Sequence, residues 1–148
     1  MAAARRKPRT VRESSAPYSP RRILLDTHVW LWWHTADRRL GREAMALIRS
    51  APDVRFSAAS AWEIAIKRSL GKLVIRGELQ IARELERDGF TELAVSVAHA
   101  ETVHDLPTLH RDPFDRMLVA QAQVEGLAIV TADDAIAKYG VSVIDARR

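Results

Sequence analysis

Short strand-forming stretches alternate with amphipathic stretches from residue 23 onward. The amphipathic stretches repeat apolar residues every three or four positions, which is the period of a helix. The pattern predicts strands at 23–26, 54–57, 91–95, 127–131 and 141–144, and helices at 27–34, 40–50, 59–70, 78–88, 98–105, 113–125 and 133–139. Repeated strand–helix units of this size predict an α/β fold, a three-layer sandwich around a central, mainly parallel sheet of about five strands.

Local signals support several of the helix ends. Gly71 and Gly89 follow two of the predicted helices, and glycine commonly ends a helix. Asp112 and Pro113 open the helix 113–125 as an N-cap and a proline at the first helical position. Sequence signals and hydrophobic period therefore agree on these elements.

The first 22 residues differ from the rest of the chain. They are rich in Arg, Ser, Ala and Pro without hydrophobic periodicity, so we expect a disordered tail before a single domain at 23–148. The tail carries seven Lys or Arg against one Glu, a net charge of +6, which leaves the domain at −2 of the total of +4. The tail is a basic arm that touches nucleic acid or a dispensable extension, and the sequence leaves both open. An organellar transit peptide also fits the composition but is less favoured.

Length and composition limit the class of protein. A chain of 148 residues is long enough for one domain and too short for two ordinary ones. No apolar run reaches the roughly 18–20 residues that a membrane span requires. The absence of cysteine excludes disulfides, thiolate zinc sites and thiol nucleophiles. We therefore expect a cytoplasmic protein with no membrane segment.

Polar side chains stand where several predicted strands end. Asp26 ends the first strand, Ser57 the second and Thr131 the fourth. Ligands of open parallel α/β sheets sit outside the carboxyl ends of the strands, so these side chains are expected at an active-site rim. Asp26 has an alternative role as the N-cap of the helix that follows it.

Asp115 is the acid that a purely structural role explains least well. At about 100° per residue it falls on the apolar face of its helix with Leu118 and Ala122. A carboxylate on such a face must be neutralised, paired or bound to metal, because burying it alone and charged costs several kcal/mol. Arg116 falls on another sector and is expected to pair with Asp112, which leaves Asp115 available for function.

Glu63 has two compatible interpretations. It lies at the edge of the apolar stripe predicted for the helix 59–70, which consists of Ala59, Trp62, Ile66 and Leu70. It also stands four residues before Lys67, where an exposed ion pair contributes about 0.3–0.5 kcal/mol. Because an edge position can face a cleft, the pair does not exclude a functional role.

The fourth strand is followed by two acids, Asp133 and Asp134, of which at least one is expected to cap the next helix. We expect Asp26, Glu63, Asp115 and one of these two to converge on one cleft. Carboxylates about 4 Å apart repel by about 4 kcal/mol at an effective dielectric of 20, so the cluster requires cations. Oxygen ligands favour Mg²⁺ or Mn²⁺ over zinc and suit metal-assisted hydrolysis of a phosphodiester.

The other chemistry-bearing side chains receive ordinary roles. The five histidines are scattered, and of these His110 is placed beside the cleft. The four tryptophans are expected in the core or an interface rather than as platforms for nucleic-acid bases. Arg111 and Arg116 are candidates for contact with a substrate phosphate.

Four segments taken together resemble the PIN-domain ribonucleases, and in particular the VapC-like toxins of toxin–antitoxin modules. They are ILLDTHVWLW (23–32), SAASAWEIAIKRSLGKL (57–73), HRDPFDRMLVAQAQ (110–123) and VTAD (130–133), and their order covers essentially all of residues 23–146. The long basic tail departs from the family pattern, in which the first strand stands almost at the start of the chain.

The resemblance implies a set of site residues and an activity. It implies that the first to fourth acids of the family, which catalyse the reaction and bind the metal, are Asp26, Glu63, Asp115 and Asp133. It also implies supporting hydroxyls at Thr27 and Thr131. It implies a Mg²⁺- or Mn²⁺-dependent endoribonuclease that acts on RNA, is inhibited by a cognate antitoxin protein and forms a homodimer.

Two rival functions are distinguishable. Phosphoryl transfer through an aspartyl-phosphate is disfavoured, because such phosphatases need a second Asp where His28 stands and receiver domains need an acidic pair where Leu25 precedes Asp26. The second rival is a non-catalytic nucleic-acid- or partner-binding module on the same fold. A domain with a charge of −2 is not expected to bind RNA tightly by charge alone.

Overall fold

The structure, a computed structural model, describes residues 22–148. The tail predicted at 1–22 lies outside the described residues except for Arg22, which is the first residue of a strand. Its backbone pairs in register with Asp53 on the neighbouring strand. Its guanidinium binds the Asp53 carboxylate at 3.0 Å and the Glu125 carbonyl at 2.7 Å. The first strand therefore begins one residue earlier than the hydrophobic pattern predicts.

Strands and helices alternate as the pattern predicts. The strands are β1 (Arg22–Leu25), β2 (Asp53–Ser57), β3 (Thr91–Leu93), β4 (Ala128–Thr131) and β5 (Val143–Asp145); the helices are α1 (Thr27–His34), α2 (Arg42–Ser50), α3 (Ala58–Ser69), α4 (Ile81–Asp88), α5 (Val97–Asp105), α6 (Pro113–Glu125) and α7 (Asp134–Ala137). Five ends differ from prediction by more than one residue. The helices α2 and α4 begin at Arg42 and Ile81 rather than 40 and 78, α7 ends at Ala137 rather than 139, β5 begins at Val143 rather than 141, and β3 ends at Leu93 rather than 95. The third strand stops there because its partner β2 ends at Ser57, opposite Leu93.

The strands form one sheet in the order β3-β2-β1-β4-β5, and every pairing is parallel. Alternate residues of the central strand point to opposite sides, as expected for a strand. Ile23 and Leu25 lie in a buried cluster with residues of α1, α2 and α4. Leu24 lies in a second cluster with residues of α6 and α7. The predicted three-layer α/β sandwich is confirmed.

Within residues 22–148, no helix combines the length and the apolar character needed to cross a bilayer.

The segment 146–148 packs against the beginning of α2. The Gly41 N–H donates to the Ala146 carbonyl at 2.8 Å, and the Ala44 N–H donates to the Arg148 carbonyl at 2.9 Å. A Cβ atom at Gly41 would overlap the backbone of Arg147 and Arg148. Glycine at this position therefore permits the close approach of the two backbones, and the Arg148 carbonyl serves a helix N–H that has no partner within its own helix.

Candidate active site

Asp26 follows the last residue of the central strand and is almost completely buried, with 4% of its surface exposed. Its Oδ2 accepts a hydrogen bond of 2.6 Å from the Thr131 hydroxyl. Its Oδ1 is buried and accepts no hydrogen bond from the described residues. Burial raises the pKa of the Asp26 carboxyl and the charge of Glu63 adds to this, against the lowering effect of the Thr131 hydrogen bond and of His28. Asp26 therefore has one buried carboxylate oxygen without a hydrogen-bond partner among the described residues.

Two threonine hydroxyls support the ends of the sheet. Thr131, the last residue of β4, donates to Asp26 and accepts a hydrogen bond of 3.0 Å from the Asp133 N–H. Thr27, the first residue of α1, donates to the Ser60 hydroxyl of α3 at 2.8 Å, and both side chains are buried. Thr131 therefore connects two of the predicted acids, whereas Thr27 joins α1 to α3. The partner of Thr27, Ser60, was not identified from the sequence.

Glu63 lies on α3 and is 2% exposed. Its Oε2 atom is 2.8 Å from Lys67 Nζ, so the i,i+4 pair predicted from the sequence is confirmed. The Glu63 side chain, however, is buried rather than solvated. The charge of Glu63 raises the pKa of both Asp26 and Asp115, so the three carboxyl groups act on one another.

The apolar stripe predicted for α3 is wrong at two of its four residues. Trp62 is 64% exposed and Leu70 is 62% exposed. Ala59 is buried as predicted, together with Ser60, Glu63 and Ile64. The inward face therefore carries a carboxylate and a hydroxyl, because this helix provides groups to the carboxyl end of the sheet as well as to the core. A stripe assigned from side-chain hydrophobicity alone points the helix the wrong way.

Asp115 lies in the first turn of α6, which Asp112 caps by accepting hydrogen bonds from the Phe114 and Asp115 N–H groups at 2.8 and 3.2 Å. The Asp115 side chain is 16% exposed. Burial raises the pKa of the Asp115 carboxyl to about 7, with further contributions from the charges of Asp26 and Asp112, against the lowering effect of His110. A buried carboxyl group with a raised pKa ionises far more readily when a cation lies next to it than when its negative charge has no partner.

His110 bridges the last two acids. Its Nε2 is 2.9 Å from Asp133 Oδ2 and 3.1 Å from Asp115 Oδ2. Its Nδ1 accepts a hydrogen bond of 3.1 Å from the Asp112 N–H, so the proton of the neutral ring lies on Nε2 and is donated to Asp133, while Asp115 acts on the ring through its charge. The hydrogen bond to Asp133 raises the pKa of His110. The expectation that His110 lies beside the cleft is confirmed, but its bridging role was not predicted.

Of the two acids after β4, Asp133 faces the cluster. Its Oδ1 caps α7 by accepting from the Ala135 N–H at 2.9 Å, and its Oδ2 contacts His110. Burial favours a higher pKa for Asp133, but the hydrogen bonds from His110 and Ala135 outweigh it and lower the pKa. Asp134 points away, 82% exposed, and pairs with Arg147 at 2.8 Å. One side chain therefore serves as cap and as cluster member.

The expected ion pair between Asp112 and Arg116 is wrong. The Asp112 side chain accepts from backbone N–H groups, as described above. The Arg116 guanidinium instead donates to the carbonyls of Val103, Leu106 and Pro107 and to the Tyr139 hydroxyl. It thereby ties the segment before α6 to the helix, and its contact with a substrate phosphate stays a prediction. Arg111 is exposed and forms no ion pair with any residue from 22 to 148.

The acidic residues fit a hard divalent cation. Asp115 and Asp133 each offer a carboxylate oxygen, and these two atoms and a ring nitrogen of His110 lie within 4.8 Å of one another. Asp26 offers a buried oxygen without a partner, which costs free energy unless a ligand satisfies it. Mostly oxygen donors and no thiolate favour Mg²⁺ or Mn²⁺. The predicted acids are Asp26, Glu63, Asp115 and Asp133, and each of them interacts with another member of the set or with His110.

Comparison with known proteins gives matches in sequence and in structure. The family model described as the PIN domain matches residues 23–141. The chain is 30% identical over 117 residues to Ribonuclease VapC22 of Mycobacterium tuberculosis, an alignment that covers 75% of this chain and 86% of the relative.

Solved structures share the fold. FitAcB from Neisseria gonorrhoeae superposes with a TM-score of 0.60 at 20% identity, covering 83% of this chain and 96% of that chain. A toxin–antitoxin complex from Klebsiella pneumoniae superposes with a TM-score of 0.57 at 18% identity, covering 83% and 96%. VapBC2 from Rickettsia felis, solved with a DNA fragment from its promoter, gives 0.59 at 11% identity, covering 82% and 96%.

Proposed function

The chain belongs to the PIN domain family, and on this premise we propose that it is a Mg²⁺- or Mn²⁺-dependent endoribonuclease and the toxin of a toxin–antitoxin pair. Its substrate is RNA, its inhibitor is an antitoxin protein, and it acts as a homodimer in the cytoplasm. A ribonuclease among its relatives and toxin–antitoxin complexes among its structural neighbours support this proposal.

One observation carries the metal-dependent part of the proposal. Asp26 is a buried carboxylate with an oxygen that no described residue satisfies. Burial raises the pKa of Asp115 to about 7, and the charge of Asp26 is the next largest cause of that rise. Two buried carboxylates close enough to repel each other destabilise the fold unless a positive charge lies between them. A structural role does not require such an arrangement, whereas a cation site does.

The proposed ligands are Asp26 and Asp115 at the centre, with Glu63 and Asp133 completing the set directly or through water. A bound divalent cation supplies a Lewis acid that activates water and offsets charge on the phosphate. Thr131 holds Asp26 in place through its hydroxyl. His110 holds Asp133 through Nε2–H, and its Nδ1 is fixed by the Asp112 N–H.

The acids must be deprotonated to bind a cation, so the protein residues also determine when the site is ready. Lys67 balances the buried charge of Glu63 at 2.8 Å. Asp115, whose pKa is about 7, releases its proton when a cation binds at neutral pH. The chain thus prepares its ligands by hydrogen bonding and pairing three of them and by leaving Asp115 to be neutralised by the cation.

The first prediction tests this assignment. Asp26→Asn and Asp115→Asn, each close in shape to the original, are expected to lower Mg²⁺- or Mn²⁺-dependent cleavage of RNA by more than about 100-fold, beyond the 10–100-fold typical of residues that only support a ligand. The measurement is the initial rate on a labelled RNA, with circular dichroism to confirm the fold.

Asp105→Asn is the matched control, because Asp105 is 83% exposed and contacts only His104 among the described residues. It is expected to cleave at the wild-type rate. Undiminished cleavage by both active-site variants would refute the ligand assignment. Binding of RNA in EDTA without cleavage on addition of Mg²⁺ or Mn²⁺ would favour the non-catalytic module.

The partners are tested separately. Light scattering on the purified chain is expected to give twice the monomer mass of 16.6 kDa. Titration with a cognate antitoxin protein is expected to abolish cleavage at a fixed stoichiometry. A monomer, or full cleavage in the presence of excess antitoxin, would contradict the corresponding part of the proposal.

A further inference from the structure

Among residues 22–148, one aromatic side chain is largely exposed, and it directly precedes one of the acids in the sequence. Trp62 is 64% exposed, whereas the next two residues of α3, Glu63 and Ile64, are 2% and 1% exposed. Exposing an indole of this size is unfavourable, because large aromatic side chains normally bury most of their surface. An exposed tryptophan therefore requires an explanation that packing within the domain does not provide.

Trp62 is held in place by a second aromatic ring. Its ring centroid is 5.4 Å from that of Phe114, and the planes meet at 73° in an edge-to-face contact. Phe114 is half-buried and directly precedes Asp115 on α6, just as Trp62 directly precedes Glu63 on α3. The two rings therefore join the helices that carry the second and third acids. Such a contact fixes the orientation of the indole.

We propose that Trp62, braced by Phe114, stacks on an unpaired base of the RNA substrate next to the phosphate that is cleaved. This inference rests on the proposed ribonuclease function and names its substrate class, which is single-stranded RNA. Proteins bind single strands by combining positive groups near the backbone with aromatic side chains on which bases stack. An indole offers a flat face to any base, so the platform selects for an unpaired nucleotide rather than for one sequence.

The surroundings favour a nucleotide over a protein partner. A phosphodiester bound at the acids places its neighbouring nucleotides near the residues beside those acids, and Trp62 and Phe114 are such residues on two different helices. Arg111 is exposed in the segment that leads to α6 and forms no ion pair within residues 22–148, so a positive group is available for a flanking phosphate. An exposed aromatic ring, an arginine without an ion pair and a cluster of acids that suits a metal together match what binding and cleaving a single strand of RNA requires.

The experiment follows intrinsic tryptophan fluorescence while a short unpaired oligouridine is added in the presence of Mg²⁺, and the same samples are run on a gel to measure cleavage. Stacking on Trp62 is expected to quench the fluorescence. Trp62→Ala and Trp62→Leu are expected to weaken binding and raise the KM by roughly 5- to 150-fold with a small effect on kcat, which corresponds to about 1–3 kcal/mol per stacked base.

Three controls give the result its meaning. Trp62→Phe retains a flat ring, so it is expected to bind nearly as well as wild type while losing the quenching signal. Trp62→Leu keeps an apolar side chain but no ring, which separates stacking from simple apolar contact. Leu70→Ala removes a similarly exposed apolar side chain, 62% exposed, from the C-cap of the same helix and is expected to bind RNA normally.

The outcomes separate this inference from the proposed function. Quenching that depends on Trp62 without cleavage refutes the nuclease and keeps the platform. Cleavage with equal KM for wild type, Trp62→Ala and Trp62→Leu refutes the platform and keeps the nuclease. Unchanged RNA binding together with a loss of dimer or antitoxin affinity in Trp62→Ala identifies the ring as a protein interface, which also overturns the inference.

Discussion

Thr131 serves two acids with one hydroxyl group. It donates to Asp26 at 2.6 Å and accepts from the Asp133 N–H at 3.0 Å, so it sets the position of one carboxylate and the start of the turn that carries another. Groups that hold metal ligands in this way commonly change affinity or activity by 10–100-fold when they are removed. Removing the Thr131 hydroxyl is therefore expected to lower metal affinity or activity.

Replacing Thr131 by Val keeps the shape and removes the hydroxyl. We expect cleavage to fall by about 10–100-fold. Stability is expected to fall by about 1–3 kcal/mol, because Asp26 Oδ2 and the Asp133 N–H lose their partner in a buried place. Rates under metal saturation and urea unfolding measure the two effects. Thr131→Ser retains the hydroxyl and should restore both; a Val variant with wild-type activity would contradict the supporting role.

Single-residue chemistry was only partly readable from the sequence. The acids at strand ends and on the apolar face of α6 stood out because period and position identify them without tertiary information. The bridge of His110 to Asp115 and Asp133 was not readable, because it joins a loop, a helix and a strand end that become neighbours only in the fold. The pairing of Arg116 was mispredicted for a similar reason: its guanidinium reaches carbonyls of a segment that the sequence does not show to be near.

At the level of elements, the hydrophobic periodicity of the sequence predicted nearly every helix and strand. It could do so because the face of a helix or strand that packs in the core carries apolar residues at the period of that element. The exception is the orientation of α3. Its inward face includes Ser60 and Glu63, while Trp62 and Leu70 face solvent. A helix that bounds a functional site violates the rule that apolar means buried, so hydrophobicity alone could not orient it. Only the other elements packed against it determine the direction.

The contact between α2 and the segment 146–148 gives a prediction about a single Cβ atom. Gly41→Ala is expected to lower stability by about 1–3 kcal/mol, because the added carbon overlaps the Arg147–Arg148 backbone and the segment must move. Denaturant unfolding measures the loss. In a chain that ends at Ala146 the overlapping atoms are absent, so the same substitution should cost much less. An equal cost in both chains would show that the clash is not the cause.

For the whole molecule, the site is assembled from four elements around one end of the sheet. Asp26, Glu63, Asp115 and Asp133 come from the end of β1, from α3, from α6 and from the segment after β4. The parallel topology explains why Asp26 and Asp133 meet, because the carboxyl ends of the neighbouring strands β1 and β4 share an edge. Glu63 and Asp115 come from helices, so their approach depends on how α3 and α6 pack. The sequence predicted the topology from the alternation of elements.

The cluster makes the stability of the metal-free protein depend on pH. The pKa of Asp115 is 3.8 in the unfolded chain and about 7 in the fold, so the folded state binds more protons between these values. The free energy of unfolding therefore falls as pH rises from about 4 to about 7, by up to about 4 kcal/mol. The raised pKa values of Asp26 and His110 act in the same direction, whereas Asp133, with a lowered pKa, contributes only in more acidic solution.

Thermal unfolding in EDTA between about pH 5 and about pH 8 is expected to show this decline, and Mg²⁺ or Mn²⁺ is expected to reverse it at the upper end, where the ligands are deprotonated. Asp115→Asn removes the titrating group and is expected to be more stable than wild type at about pH 8 in EDTA while being inactive. Parallel pH curves for wild type and Asp115→Asn would contradict the assignment of the slope to Asp115.

The hydrogen bond between Thr131 and Asp26 joins residues 105 positions apart in the chain. During synthesis on the ribosome, the first acid is therefore made well before the strand that anchors it. At about 5–20 residues per second, the interval is about 5–20 seconds. A nascent chain in that interval lacks a complete cluster of acids, so the proposed site forms only when nearly all of the domain has been made.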